Sequence, residues 1–119
     1  MTQLEDWKET IAVLSGNETP GRKEPDQSVK ADAGKPRISL VPTEIIRGVA
    51  RAREIGVEKY GEIDNWKKVE PERYLDAVMR HLLAYIDGEI IDPDSGLNHL
   101  DHAACNIAFL MEMEKNRWA

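Results

Sequence analysis

The chain has 119 residues, 41% apolar and 32% charged, the balance of a soluble globular protein with length for one sizeable core. A formal net charge of −6 excludes a general basic field for duplex nucleic acid, although a few local Lys and Arg suffice beside the phosphates of a nucleotide. The lone Cys105 excludes an internal disulfide framework, no apolar run approaches the ~20 residues that span a bilayer, and the acidic N-terminus has no signal-peptide pattern, so the expected setting is the cytoplasm, away from membranes.

In chain order, Leu4, Trp7, Ile11 and Leu14 recur at helical spacing and predict a short amphipathic helix over 4–14. Residues 15–37, "SGNETPGRKEPDQSVKADAGKPR", are rich in Gly, Pro and charge and nearly free of large apolar side chains, so they read as a linker. The chain is therefore divided into an N-terminal segment and linker, 1–34, and a main domain, 35–119. In the main domain one helix follows Pro42 and Thr43 and stops at Gly61, a second runs from Pro71 to Gly88, and a third from about Pro93 to Trp118. No alternating β-branched run or hairpin turn competes. The expected fold is all-α, a bundle of three main helices plus the short N-terminal one.

At about 100° per residue the faces separate. On the first helix Arg47, Arg51, Glu54 and Glu58 share one face, and Ile45, Val49, Ala52, Gly56 and Tyr60 the opposite one. On the second, Arg73, Asp76, Arg80 and Asp87 form a narrow polar stripe, with His81 outside it beside Tyr74, Ala77, Ala84 and Tyr85. On the third, only Asn98, Asp101 and Glu112 mark a solvent side, while His99, His102 and Asn106 lie among Phe109, Leu110 and Met113. A helix apolar nearly all round must be covered all round, which three helices do poorly, so a homo-oligomer, dimer or tetramer, is expected.

All three histidines thus fall on inward faces. Burying such a group without a partner costs roughly 1–3 kcal/mol, so the imidazoles need each other, a metal or a substrate. His99-x-x-His102 sets two rings one turn apart, close enough to share an ion such as Mn, Co or Zn. Glu54 and Glu58, at i and i+4, offer carboxylates to a divalent ion; alternatively they form a solvated face on which Arg51 pairs with Glu54. Asp92 and Pro93 read as a helix cap and first position, with Asp94 and Ser95 in the first turn. "DAGKPR" places Lys35 and Arg37 on an extended segment, and "EKYGEIDNWKK" sets Tyr60 and Trp66 among Lys59, Lys67 and Lys68. Aromatic faces beside cations suit a base and its phosphates; the other reading is that Trp66 closes the core and the lysines are solvated.

Taken together, "DAGKPRISLVP", "EKYGEIDNWKK", "RHLLAYIDGE", "DPDSGLNHLDHAACN" and "FLMEME" resemble the phage dATP/dGTP diphosphohydrolase family, within the broader MazG-like group of all-α nucleotide pyrophosphohydrolases. The resemblance covers about residues 30–113. It implies a helical oligomer that cleaves purine deoxynucleoside triphosphates to monophosphate and pyrophosphate, adjusting the nucleotide pool, with Mg²⁺ or Mn²⁺ (Co²⁺ as a further choice) at the site. The MazG-like group usually carries Glu-x-x-Glu on one helix and Glu-x-x-Asp on a later one. Here His99-x-x-His102 stands where the later motif would fall, and Glu89-x-x-Asp92 has its spacing at a helix junction.

The resemblance thus implies metal ligands among Glu54, Glu58, Glu89, Asp92, His99 and His102, and catalytic groups among Glu58, His81 and His102. Lys35, Arg37, Lys59, Lys67 and Arg80 would meet phosphate, and Tyr60 or Trp66 the base. Two other readings fit the same residues: another metal-dependent phosphohydrolase, and a non-catalytic helical oligomer that binds nucleotides or a host protein.

Overall fold

The computed structural model describes residues 24–118 and divides into two units, Met1–Ser39 and Leu40–Ala119. The helix expected over 4–14 lies outside the described residues. Of the first unit, residues 24–39 are described, and they are held by local bonds. Asp26 caps a single 3-10 turn, Gln27–Val29, by accepting from Ser28 N (2.9 Å) and Ser28 Oγ (2.6 Å). Lys35 N donates to Asp32 O (3.0 Å) across a turn that needs the positive φ of Gly34, 80°. Lys35 and Arg37 are both exposed here.

The second unit is built on three helices: α1 (Glu44–Tyr60), α2 (Pro71–Ile86) and α3 (His99–Trp118). Thr43 stands at the N-cap of α1, so Pro42 precedes the cap; Gly61 ends the helix with φ 76° and donates to Val57 O. Pro71 opens α2 at its first turn, where a missing N–H costs nothing. Gly88, at φ 99°, lets Glu89 N reach back to Ala84 O (2.9 Å) and turns the chain away. Between α1 and α2 a 3-10 turn, Asn65–Lys68, carries Trp66. No strand forms among the described residues, so the expected all-α class holds.

Three expectations need correction. The third helix does not begin at Pro93. Residues 92–98 instead form a closed loop, with Asp92 N donating to Leu97 O (2.7 Å), Gly96 N to Asp92 O (2.8 Å) and His99 N to Ile90 O (2.9 Å). Gly96 is left-handed at φ 77°, and the N-cap is Asn98, whose Oδ1 accepts from Leu100 N (2.8 Å). Second, Asp101 does not mark a solvent side. It is buried and bound by Arg51, whose Nε donates to Oδ2 (3.0 Å) and Nη2 to Oδ1 (3.2 Å). Arg51 therefore pairs with Asp101 and Glu44, not Glu54, and these partners, Asp101 first, hold the guanidinium protonated well above its usual range. Third, the buried side of α1 is Gly48 and Ala52, whereas Ile45 and Tyr60 are exposed.

α3 is the central element and packs against both α1 and α2. The buried apolar residues are small: Ala52, Val78, Ala103 and Cys105. No large side chain among the described residues is fully buried, because small residues let the helix backbones approach while the large ones turn outward. α2 leaves Leu75, Met79, Leu83 and Ile86 more than half exposed in one row, and α3 leaves Leu100, Ile107 and Met111 uncovered in another. No helix among the described residues is long and apolar enough to cross a membrane.

Candidate active site

Where α1, the Asn65–Lys68 turn, α2, the 92–98 loop and α3 face one another they enclose an open cavity of about 1120 Å³. Its size is slightly above the usual range of small-molecule sites, which run to ~1,000 Å³. Of the residues singled out in the sequence, it gathers Lys59, Tyr60, Trp66, Arg80, His81, Asp92 and His102. It also includes Lys68, which the sequence set beside Trp66, and adds Arg53, Arg73, Asp76, Asp94 and Ser95, none of which stood out for this role. Glu54 and Glu58 on α1, together with Lys67, Glu89 and His99, are not among the lining residues.

One wall is aromatic. Trp66 stacks on Phe109 with ring centroids 4.8 Å apart and planes 14° apart, and Tyr74 packs on the same ring at 4.9 Å. The Tyr74 hydroxyl donates to Trp66 O (2.7 Å), tying the 3-10 turn to α2. Trp66 therefore does close the helical pack, and it also faces the cavity. Arg53 is used structurally: its Nη2 donates to Ile63 O (2.6 Å) and its guanidinium lies 5.3 Å from the Phe109 centroid. Lys68 pairs with Glu62 at 3.6 Å, and Lys67 with Asp64 at 3.2 Å. Lys59, Arg73 and Arg80 make no ion pair with any described residue, and Lys59 Nζ lies 5.3 Å from the Tyr60 ring centroid, so three cations without a described carboxylate partner line one cavity.

The opposite wall holds the imidazoles. His81 Nδ1 lies 2.8 Å from His99 Nδ1, and His99 Nε2 lies 2.8 Å from Glu89 Oε1. The His81 and His102 rings stack at 4.7 Å and 17°. The Ser95 hydroxyl donates to Asp92 Oδ2 (3.0 Å) and accepts from Leu97 N (3.2 Å), while His102 Nε2 sits 2.6 Å from Ser95 Oγ. With the hydroxyl proton spent on Asp92, His102 is the donor to Ser95 through Nε2. Ser95 thus orients His102 and does not cap α3. Ser, His and Asp meet here, but Asp92 Oδ2 and Ser95 Oγ approach the same ring nitrogen, at 3.4 and 2.6 Å, so the hydroxyl is not activated as in a nucleophilic triad. Asn106 Nδ2 donates to His102 O (2.8 Å). Every buried side-chain polar atom among the described residues has a partner.

Burial, then the neighbouring His102 and His99, hold the His81 imidazolium below its ordinary pKa, so the ring favours its neutral form. Burial opposes ionisation of Asp92, yet the bonds from Asp94 N and Ser95 Oγ hold its carboxyl below the ordinary range. A buried Cys105 thiol is pushed up to about 11 by desolvation. No three His, Cys, Asp or Glu side chains converge on one point among the described residues. Both nitrogens of His99 are engaged, Asp92 accepts bonds from its own loop on both oxygens, and Glu62 pairs with Lys68, so the carboxylates of Asp76 and Asp94 are the exposed, unpaired lining carboxylates among the described residues.

An all-α domain whose cavity sets cations beside carboxylates and hydrogen-bonded imidazoles defines a class of site suited to a phosphorylated small molecule. A family model described as dATP/dGTP diphosphohydrolase, N-terminal, matches residues 25–119, and the chain belongs to that family. It is also similar to a dATP/dGTP diphosphohydrolase of Salmonella phage PMBT28, 39% identical over 89 residues, which are 75% of this chain and 30% of that relative. The chain thus spans less than a third of that relative's length. No solved structure matches the chain.

Proposed function

We propose that this domain hydrolyses a purine deoxynucleoside triphosphate to the monophosphate and pyrophosphate, and so adjusts the nucleotide pool. The observation that carries the reading is the pairing, in one cavity, of Lys59, Arg73 and Arg80 with the His81–His102 wall. The cations neutralise phosphate oxygens and stabilise the charge that develops on the leaving pyrophosphate. The exposed Tyr60 ring and Trp66, both lining the cavity, offer aromatic surface to a base. The family name and the phage relative's name point the same way.

A divalent ion belongs to this reading. Mg²⁺ keeps several waters and takes phosphate oxygens plus one or two carboxylates, so a preformed cage of three protein ligands is not required. Asp76 and Asp94 fit that role, and Mn²⁺ or Co²⁺ would satisfy the same oxygens. The bound ion would polarise the phosphoryl group and help to neutralise it. We further propose that the uncovered rows on α2 and α3 are closed by a second copy of the chain.

Purified protein incubated with each deoxynucleoside triphosphate, with and without Mg²⁺ or Mn²⁺, tests the reading by product chromatography. Monophosphate and pyrophosphate in equal amounts from dGTP or dATP, abolished by EDTA, is the expected result. Release of inorganic phosphate or triphosphate would point instead to another phosphohydrolase, and binding without turnover in either metal would leave a nucleotide-binding module.

A further inference from the structure

The stretch Glu89–His99–His81 is a chain of three titratable groups in which only the last faces the cavity. A carboxylate can only accept, so the nitrogen of His99 beside Glu89 Oε1, Nε2, must carry a proton. Where His99 is neutral, its lone pair is then on Nδ1. The contact between His99 Nδ1 and His81 Nδ1, 2.8 Å, needs one donor and one acceptor, so His81 carries its proton on Nδ1. The remaining nitrogen of His81, Nε2, is left with the lone pair. For a neutral His99 each step follows from the one before it, with Glu89 at the outer end setting the sense of the chain.

We propose that His81 Nε2 is the proton acceptor for the water that attacks the bound triphosphate, with His99 and Glu89 as the positioning residues that hold its tautomer. This rests on the nucleotide reading above. In the step, the water oxygen bonds to the α-phosphorus, its proton passes to His81 Nε2, and the bond to the bridging oxygen breaks with its electron pair leaving on pyrophosphate. His81, now an imidazolium, keeps Nδ1–H on His99, and the carboxylate of Glu89 stabilises the added charge through the His99 ring. The proton is then released to water.

The surroundings suit a base that starts neutral. His81 faces His99 and His102 from α3, Asp92 from the loop and Arg80 on its own helix, and burial with the two imidazoles keeps it unprotonated near neutral pH. His99 is buried at 4% exposure, so water does not compete for its two bonds. The Glu89 side chain is 54% exposed and away from the cavity lining, which makes it a substitution site that spares the fold and the substrate contacts.

The test has two readouts. Ring-nitrogen NMR of the full chain, simplified by its three histidines, is expected to show His81 protonated at Nδ1 and bare at Nε2, and His99 the reverse. A His81 ring protonated at Nε2 in the resting protein overturns the proposal, whatever the activity. Glu89→Gln removes the charge behind the relay. It is expected to lower kcat by about 10- to 100-fold and move the acid limb of the kcat–pH profile to lower pH, with KM within about twofold. Unchanged kcat and an unmoved limb, in a variant with wild-type circular dichroism and Tm, also overturn it. Absence of turnover by wild-type protein on every nucleotide sinks the nucleotide reading and the base role together, while the tautomer chain stands or falls on the spectrum alone.

Discussion

Cys105 lines the cavity from inside α3, yet removal from water pushes its thiol up to about 11. At pH 7.5 that leaves on the order of one thiol in a few thousand as thiolate, against roughly one in ten for an exposed cysteine. Burial blocks the reagent as well. Iodoacetamide is therefore expected to alkylate native Cys105 at least a hundredfold more slowly than the urea-unfolded chain, as mass spectrometry would show; equal rates would mean that the helix pack opens locally at this point. The histidines show the reach of the sequence at the same scale. Their inward placement was legible from spacing, because all three fall on apolar faces. Which nitrogen meets which partner was not, since Glu89 and Ser95 reach those rings only through the fold of the 92–98 loop. In this arrangement His81 and His99 meet each other, and His102 meets Ser95.

Between elements, the closest approach is at Gly48 on α1. A Cβ there would lie 2.5 Å from Asp101 Oδ1 and 3.3 Å from its Cγ, so alanine would force the carboxylate off the Arg51 fork. Gly56, on the same helix, has only Arg53 Nη1 at 3.9 Å, an ordinary van der Waals contact. Alanine in a helix interior is worth about 0.5–1 kcal/mol over glycine, a gain that Gly56→Ala should realise. At Gly48 the same gain meets overpacking of ~1–3 kcal/mol and a disturbed buried ion pair, so Gly48→Ala should be the less stable variant by about 1–2 kcal/mol. Urea unfolding of the two variants separates them by sign, and stabilisation by both would mean that α1 and α3 are not this close. Gly48 had no signal in the sequence, because nothing local distinguishes it from Gly56. The boundaries of α1 and α2 were legible from Gly61, Pro71 and Gly88. The start of α3 was not, because Asp92 and Asn98 are both good caps and only the bonds from Asp92 N to Leu97 O and from His99 N to Ile90 O choose between them.

For the whole molecule, the question is what covers the large apolar side chains. A fully buried Leu, Ile or Met contributes ~1.5–3 kcal/mol, so the four on α2, about half of each still exposed, represent roughly 4 kcal/mol per copy in unrealised burial. Two copies related by a two-fold axis would recover roughly twice that, which only just meets the ~4–15 kcal/mol cost of association. Adding Leu100, Ile107 and Met111 from α3 raises the gain to roughly 14 kcal/mol, near the upper end of that cost, so the two rows together favour a pair more than either alone. Sedimentation equilibrium of the full chain at micromolar concentration should accordingly report a dimer or a larger even-numbered assembly. Leu83→Glu places a charge in the α2 row and, across a two-fold axis, close to its own copy, where like charges repel. Because Leu83 is 55% exposed in the single chain, the change does not breach the core, and the variant should keep its helical circular dichroism while sedimenting as a monomer. A wild-type chain that stays monomeric at tens of micromolar would show that these rows are closed by something other than a second copy.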